Sequence, residues 1–410
     1  MQREKYIHQI KKGLKTTSIA LLIGSRQVGK THLMKAYPYK GSKYFINGQD
    51  PEMAALFQKL STIEMYLKIN INESLNGLLL LDEFQFIEGI STMLKLLTDK
   101  YPDLKIICSG SSSLDILQQV EESLAGRVRI IEVFSLSFEE YLELSDAKLL
   151  DLYKACTDKT EHSALTAPLL EKMNEYLIYG GYPRMALQHD FDEKAAVLDD
   201  IYKTYLMKDI RNYIKNEHVV GFNKMLRILA IQIGNLLNIN ELSKNSGLPY
   251  KKCEEYIYLL EQMYIIKTIE PYYTNKRKVI TKMKKIYFAD IGLRNIILSD
   301  LSSIEYRLDN GALFENYILL ELLKNKKTVT NISYYRTSDG MEVDFVVNDT
   351  IQKTALECKY KKLTNPVGTR ALTAFSEQEN IQRRVLANQT LNTTNKEIRF
   401  IQGYLAGKIM

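Results

Sequence analysis

A chain of 410 residues with 45% hydrophobic content has room for two or three globular domains at about 100–200 residues each. Its 55 basic against 49 acidic residues leave a formal charge of +6, so any attraction to nucleic acid must come from local clustering and not from a global field. The cysteines Cys108, Cys156, Cys253 and Cys358 form no CxxC pair, and no apolar run approaches the roughly 20 residues of a membrane helix, so we expect a soluble, cytoplasmic protein without zinc knuckle, disulfide framework or membrane partner.

Up to about residue 140 short apolar runs alternate with helical patterns, the rhythm of an α/β domain with a parallel sheet. The predicted strands are SIALLIG, KYFING, GLLLLDE, LKIICSG and VRIIEVF. Directly after the first stands GSRQVGKT, which satisfies GxxxxGK[ST] with Gly24, Gly29, Lys30 and Thr31 and is followed by a helical pattern. Such a loop, here Gly24, Ser25, Arg26, Gln27, Val28, Gly29, Lys30 and Thr31, wraps phosphates with backbone N–H groups. Lys30 is expected to reach the outer phosphates of ATP and Thr31 to ligate Mg²⁺. The third strand ends in Asp82 and Glu83; Asp82 is expected to hold Mg²⁺ through water and Glu83 to polarise the attacking water, a pairing that points to hydrolysis.

From about 140 to 220 the spacing is helical, with a break at YGGYPR. The stretch INELSKNSGLPYKKCEEYIYLLEQMYII reads as a helix, a turn at Gly247 and a helix opened by Pro249, the punctuation of a helix-turn-helix. Cys253, Tyr256, Ile257, Leu260 and Tyr264 repeat at helical spacing and are predicted core. The following TNKRKVITKMKK carries Lys276, Arg277, Lys278, Lys282, Lys284 and Lys285 and no acid, which suits a wing laid along a DNA or RNA backbone. Glu254 and Glu255 on the outer side of the second helix oppose phosphates, so a protein-contacting winged helix is the alternative.

Near the C-terminus MEVDFVVNDTIQKTALECKYK predicts two strands about a polar turn. If Val347 pairs with Thr354, Asp344 falls opposite Glu357, and two facing carboxylates repel unless a cation lies between them. Lys359 would stabilise phosphate charge or the attacking water. Glu315 lies on an apolar stripe with Ile318, Leu319 and Leu322, where a carboxylate needs a partner. The expected metal set is Glu315, Asp344 and Glu357. The five histidines show no paired metal-ligand spacing.

GSRQVGKT, LDEFQ, SGSSSLD, ESLAGRVRIIEVFSLSFEEYL and GGYPR together resemble a family of AAA-type ATPases of bacteria and archaea that carry a C-terminal domain of unknown function. The helix glutamate, strand aspartate and ExK are similar to the PD-(D/E)XK restriction-endonuclease-like superfamily, with Val343 in place of its proline. The first resemblance implies that Ser109 is a sensor of the terminal phosphate, against a helix-capping serine. It implies that Arg127 is an arginine finger in a homo-oligomer, against a surface arginine, and that Arg184 is a second sensor, against an ordinary lid arginine. The expected architecture is an AAA-type core over 1–145, a helical lid over 146–220, a winged helix-turn-helix over 221–300 and a nuclease-like α/β domain over 301–410. Two functions stay open: an ATP-hydrolysing enzyme acting on nucleic acid, and an ATP-dependent signalling switch whose C-terminal domain binds protein.

Overall fold

The computed structural model describes residues 3–110, 124–157, 160, 163–272 and 283–410. The chain folds into two compact units, Met1–Ser135 with Gln262–Tyr264, and Leu136–Glu261 with Ile265–Met410. The helix Phe138–Ser145, expected to close the ATPase core, belongs to the second unit. Among the described residues no helix is long and apolar enough to cross a membrane.

The first unit is built on five strands, β1 (Ile19–Ile23), β2 (Lys43–Asn47), β3 (Leu78–Asp82), β4 (Lys105–Gly110) and β5 (Val128–Glu132), in the spatial order β2-β3-β4-β1-β5. All pairings are parallel. β1 and β3 are buried at all five positions, as unbroken aliphatic runs in a sheet covered on both faces must be. Helices α1 (Glu4–Thr16), α2 (Lys30–Ala36), α3 (Pro51–Ala55), α4 (Leu60–Asn70) and α5 (Ile90–Lys100) complete the described part. β4 lies between β1 and β3, so the ends of the loop-bearing strand and of the Asp82 strand are separated by the width of one strand, which carries Ser109 next to its end.

In the second unit the helix Val219–Ile231 precedes Ile239–Ser246, a left-handed turn at Gly247 (φ 78°) and Tyr250–Gln262. The antiparallel pair β6 (Ile266–Ile269) and β7 (Lys285–Phe288) follows. Cys253, Tyr256, Ile257 and Leu260 are buried as expected, whereas Tyr264 lies beyond the helix end at φ 55°. Of the basic run, Lys276, Arg277, Lys278 and Lys282 lie outside the described residues. Lys284 is exposed, but Lys285 is only 1% exposed and does not belong to a basic surface.

The C-terminal part carries a six-stranded sheet, β12-β13-β11-β10-β9-β8, from β8 (Asn331–Arg336), β9 (Glu342–Asn348), β10 (Lys353–Cys358), β11 (Arg383–Asn388), β12 (Thr393–Asn395) and β13 (Ile398–Gln402). The register pairs Thr354 with Val347, which meets the condition that sets Asp344 opposite Glu357. The helix Asn310–Asn325 is the spine of this unit. Asn316 receives the Phe288 N–H and donates to the Phe288 carbonyl, both at 2.9 Å, closing the free edge of β7. Glu321 accepts from the Phe138 N–H at 3.0 Å, and Lys324 donates to the Leu136 carbonyl at 2.8 Å. Such partners make buried polar groups on an apolar helix tolerable.

Close packing against Leu136, Tyr176 and Asp290 explains GGYPR. Gly181 N–H donates to Asp290 at 2.9 Å and its carbonyl accepts from Leu136 at 2.7 Å. A Cβ on Gly181 would collide with the Tyr176 hydroxyl and the Leu136 carbonyl, and one on Gly180 with Asp290. Pro183 then opens the short helix Pro183–Leu187, on which Arg184 is exposed. The motif is therefore a tight joint inside the second unit.

Candidate functional site

The phosphate loop leaves β1 at Gly24, whose φ of 149° and close approach to the Val133 carbonyl leave no room for a Cβ. Gln27 (φ 62°) and Gly29 (φ 92°) are left-handed, which curls residues 24–31 before α2 begins at Lys30. Ser25 and Val28 are buried, Arg26 is half-buried and Gln27 exposed. Lys30 is folded onto its own loop, donating to the carbonyls of Gly24 at 2.9 Å and Ser25 at 2.8 Å. Burial brings its pKa down to about 8, against the opposing pull of Glu83 and Asp82.

Asp82 is the hub. Thr31 Oγ1 donates to its Oδ2 at 2.8 Å, and Ser109 Oγ donates to its Oδ1. A hydroxyl and a carboxylate held together at a phosphate loop are hard oxygen donors, and they fit Mg²⁺ bound with ATP. Glu83 follows in the left-handed conformation (φ 48°), and its Oε2 accepts from Gln85 Nε2 at 2.6 Å. A non-glycine residue held there stores backbone strain of about 1–3 kcal/mol, a cost that clusters at functional sites.

The remaining expected residues divide. Arg127 stands just before β5 and makes a two-pronged pair with Asp99, Nε to Oδ1 at 2.7 Å and Nη2 to Oδ2 at 3.2 Å. Arg184 belongs to the second unit. Arg3 was not singled out by any motif, yet its side chain is buried, donating to the Val28 carbonyl of the phosphate loop and the Phe134 carbonyl, each at 2.9 Å. Only its position at the start of a charged helix marked it in the sequence.

In the second unit Asp344 Oδ2 accepts from the Cys358 N–H at 2.7 Å, and Lys359 pairs with Glu357 Oε1 at 3.0 Å. Glu357 Oε2 is buried without a hydrogen-bond partner among the described residues. The surprise is Lys285, which pairs with Glu315 Oε1 at 3.0 Å and with Glu342. Tyr287 Oη donates to Glu315 Oε1 at 2.6 Å. Burial works to lower the Lys285 pKa, but Glu315, Asp344 and Glu342 outweigh it and the ammonium is held raised. Burial, then Glu315, pushes Asp344 well above the usual carboxylate range.

The divalent cation implied by a nuclease-like fold does not fit this donor set, because an ammonium already sits against Glu315. Among the described residues no three His, Cys, Asp or Glu side chains gather as a metal-holding group. The expected set of Glu315, Asp344 and Glu357 is thus corrected to a lysine-filled cluster that includes Glu342 and Tyr287. The missed signal is the alternation in KIYF, which puts Lys285 and Tyr287 on one face of β7.

Residues 16–142 match the AAA domain family. Residues 170–303 match a domain of unknown function (DUF8612), and residues 310–404 match another domain of unknown function (DUF4143). An uncharacterized protein of Mycobacterium tuberculosis is 23% identical over 350 residues, covering 85% of this chain and 71% of that protein. One of Methanocaldococcus jannaschii is 24% identical over 340 residues, covering 80% and 72%. Among solved structures, the Walker-type ATPase of Pyrococcus abyssi has a TM-score of 0.49 and 16% identity, covering 72% of this chain and 95% of that one.

Proposed function

We propose that this chain, an AAA-type P-loop ATPase domain followed by a C-terminal domain of unknown function, is an ATP-hydrolysing switch that acts on nucleic acid through its second unit. The observation that carries the hydrolytic part is the pair of hydroxyls, Thr31 and Ser109, on the two oxygens of Asp82. Residues 24–31 hold the phosphates, and Lys30 leaves the carbonyls of Gly24 and Ser25 to meet them. Mg²⁺, held by Thr31 and Asp82, neutralises phosphate charge when bound. Glu83, oriented by Gln85, takes the proton of the attacking water. Ser109 fixes the Asp82 carboxylate and in this reading acts through it, with direct contact to the terminal phosphate left to the bound state.

The order of helix, Gly247 turn, helix and strand pair supports a winged helix-turn-helix over 221–300; its second helix exposes Tyr250, Lys251 and Tyr258 together with Glu254 and Glu255. The nuclease-like reading of 301–410 is supported by the Thr354–Val347 register and by Asp344 and Glu357 on adjoining strands, with Lys359 directly after the second. We derive no cleavage step from it.

A specific observation favours the second reading, a switch whose C-terminal domain binds protein. Lys285 is withdrawn from the basic run, and Lys252 on the second helix is paired with Glu255, so less positive charge faces solvent than the sequence suggests. One measurement tests the hydrolysis common to both readings and a second separates them. ATP turnover in Mg²⁺ should be present in the wild type and lost in Asp82→Asn. Affinity for duplex DNA and for RNA should fall steeply with salt; binding that ignores salt, or none, rejects the nucleic-acid reading and leaves the protein-binding switch.

A further inference from the structure

We propose that Lys285 is the resident cation of the C-terminal carboxylate cluster, so that the native chain is closed to divalent ions there and opens only when that ammonium is taken away. The inference goes beyond the ATPase reading and stands whether or not the second unit touches nucleic acid.

The ammonium is placed by the fold and not by a flexible side chain. Lys285 opens β7 and bridges Leu236. Leu237 N–H donates to the Lys284 carbonyl at 2.7 Å, Gly234 N–H to that of Ile286 at 2.8 Å, and Asn316 closes the other end of the strand at Phe288. The backbone carrying Lys285 is therefore fixed on both sides. Its side chain is 1% exposed, lies 5.6 Å from the Tyr334 ring centroid, and spans from Glu315 on the helix to Glu342 on β9. Arg336 takes the far oxygen of Glu342 at 3.2 Å.

The neighbourhood is arranged around this charge. Gly234 takes a left-handed conformation (φ 76°) beside Glu315, and a Cβ there would be in ordinary van der Waals contact with that carboxylate. Tyr287 fixes the same carboxylate from the next inward position of β7. A buried ion of one sign must be matched by the other or by a metal, and here the chain supplies the match itself. A divalent cation placed against Glu315 would have to displace the ammonium, leaving it buried beside a like charge. Removing the lysine reverses the situation: Glu315 loses its ammonium and Glu342 keeps only Arg336, beside Asp344 and with the unpartnered Glu357 Oε2 on the adjoining strand.

The test uses the nucleotide-free full chain and Tb³⁺, whose emission is sensitised by nearby tyrosine; the protein has no tryptophan and Tyr287 touches Glu315. We expect wild type and Glu315→Gln to give the same titration, so that any emission comes from other places. Lys285→Met should gain an additional sensitised phase, about tenfold or more tighter than anything Glu315-dependent in the wild type, and Lys285→Met with Glu315→Gln should lose it. Mn²⁺ should raise the melting temperature of Lys285→Met by more than that of the wild type, and the excess should vanish in Lys285→Met with Glu315→Gln. The proposal is overturned if the wild type already shows a phase that Glu315→Gln removes, or if folded Lys285→Met gains none. Should Lys285→Met not fold, the comparison of wild type with Glu315→Gln decides alone: a difference overturns the proposal, identity supports it.

Discussion

Asp82 and Asp344 each stand on a strand with a second acid close by, and the chain treats them in opposite ways. Around Asp82 it places two hydroxyls, which orient the carboxylate without adding charge, and it turns Lys30 away onto the carbonyls of its own loop. Around Asp344 and Glu315 it seats Lys285, buried and doubly paired. The first arrangement leaves negative charge for an incoming cation; the second has already spent it. The presence of strand-end acids therefore says less about metal chemistry than whether the fold brings its own ammonium to them.

The largest effect that tests this contrast is on turnover. Glu83→Gln should lower ATP hydrolysis by about 10²–10⁴-fold with little change in melting temperature, since it removes a proton acceptor and keeps the shape. The matching change in the second unit, Glu357→Gln, should leave ATP turnover at the wild-type value. Loss of hydrolysis in both would mean that the two acid sites are not functionally separate.

Stability should separate the two lysines next. Lys285→Met breaks a buried ion pair by removing one partner and should cost about 3–5 kcal/mol in urea unfolding. Lys30→Met removes an ammonium that burial already disfavours, and should cost little stability while abolishing ATP binding. Equal costs at the two positions would break the comparison.

How far these sites could be read in advance follows the same division. All five strands of the first unit were legible, β1 and β3 because unbroken aliphatic runs before glycine or acid have few other uses and the others as short β-branched and aromatic runs between helical patterns, and the loop motif fixed Lys30 and Thr31. The spatial order was not legible: nothing in LKIICSG says that β4 inserts between β1 and β3, which is what brings Ser109 onto Asp82. The Thr354–Val347 register was legible from the length of the NDTIQ turn. Lys285 was misread because five basic neighbours in sequence outweighed the period-two pattern that pairs it with Tyr287. Glu315 announced the need for a partner by standing on an apolar stripe, but that partner lay 30 residues away in sequence, and separation of that kind is resolved by packing alone.

Arg3 sharpens the contrast on the first unit's side, as a cation used to hold backbone and not acids. Its bonds to Val28 and Phe134 join the phosphate loop to the segment just before the chain enters the second unit. Arg3→Ala should raise the KM for ATP by about tenfold, in line with the roughly 1.5–3 kcal/mol of a hydrogen bond from a charged group, and move kcat less. Arg3→Lys should recover part of the loss; a change in melting temperature with KM intact would make Arg3 merely structural.

A smaller effect is expected with pH, and the two lysines should respond with opposite signs. Lys30 has its folded pKa lowered to about 8, below the roughly 10.4 of an unfolded lysine. Between those values the unfolded chain binds the extra proton, so the Lys30 contribution to stability rises with pH. In the same range the ammonium that should meet ATP is lost, so the Kd for ATP should begin to climb near pH 8, approaching about tenfold per pH unit. Lys285 is raised, so its stabilisation is complete below the unfolded value and is lost only as pH rises through the folded one. Affinity for ATP that stays flat to pH 10 would mean that Lys30 is not desolvated in the free loop.

The smallest expected effect concerns Arg127. Its guanidinium and Asp99 are both partly exposed, 35% and 46%, and such pairs contribute about 0.2–1 kcal/mol. Arg127→Ala and Asp99→Ala should therefore shift stability by similar small amounts, and Arg127→Ala should leave turnover within about twofold, far from the 10³–10⁵-fold of an arginine finger. A loss on the larger scale, together with unchanged turnover in Asp99→Ala, would show that Arg127 leaves Asp99 to work on a neighbouring copy. In that case the first unit, like the second, would prove to hold a critical cation in reserve, and the difference between the two would lie in which one can be released.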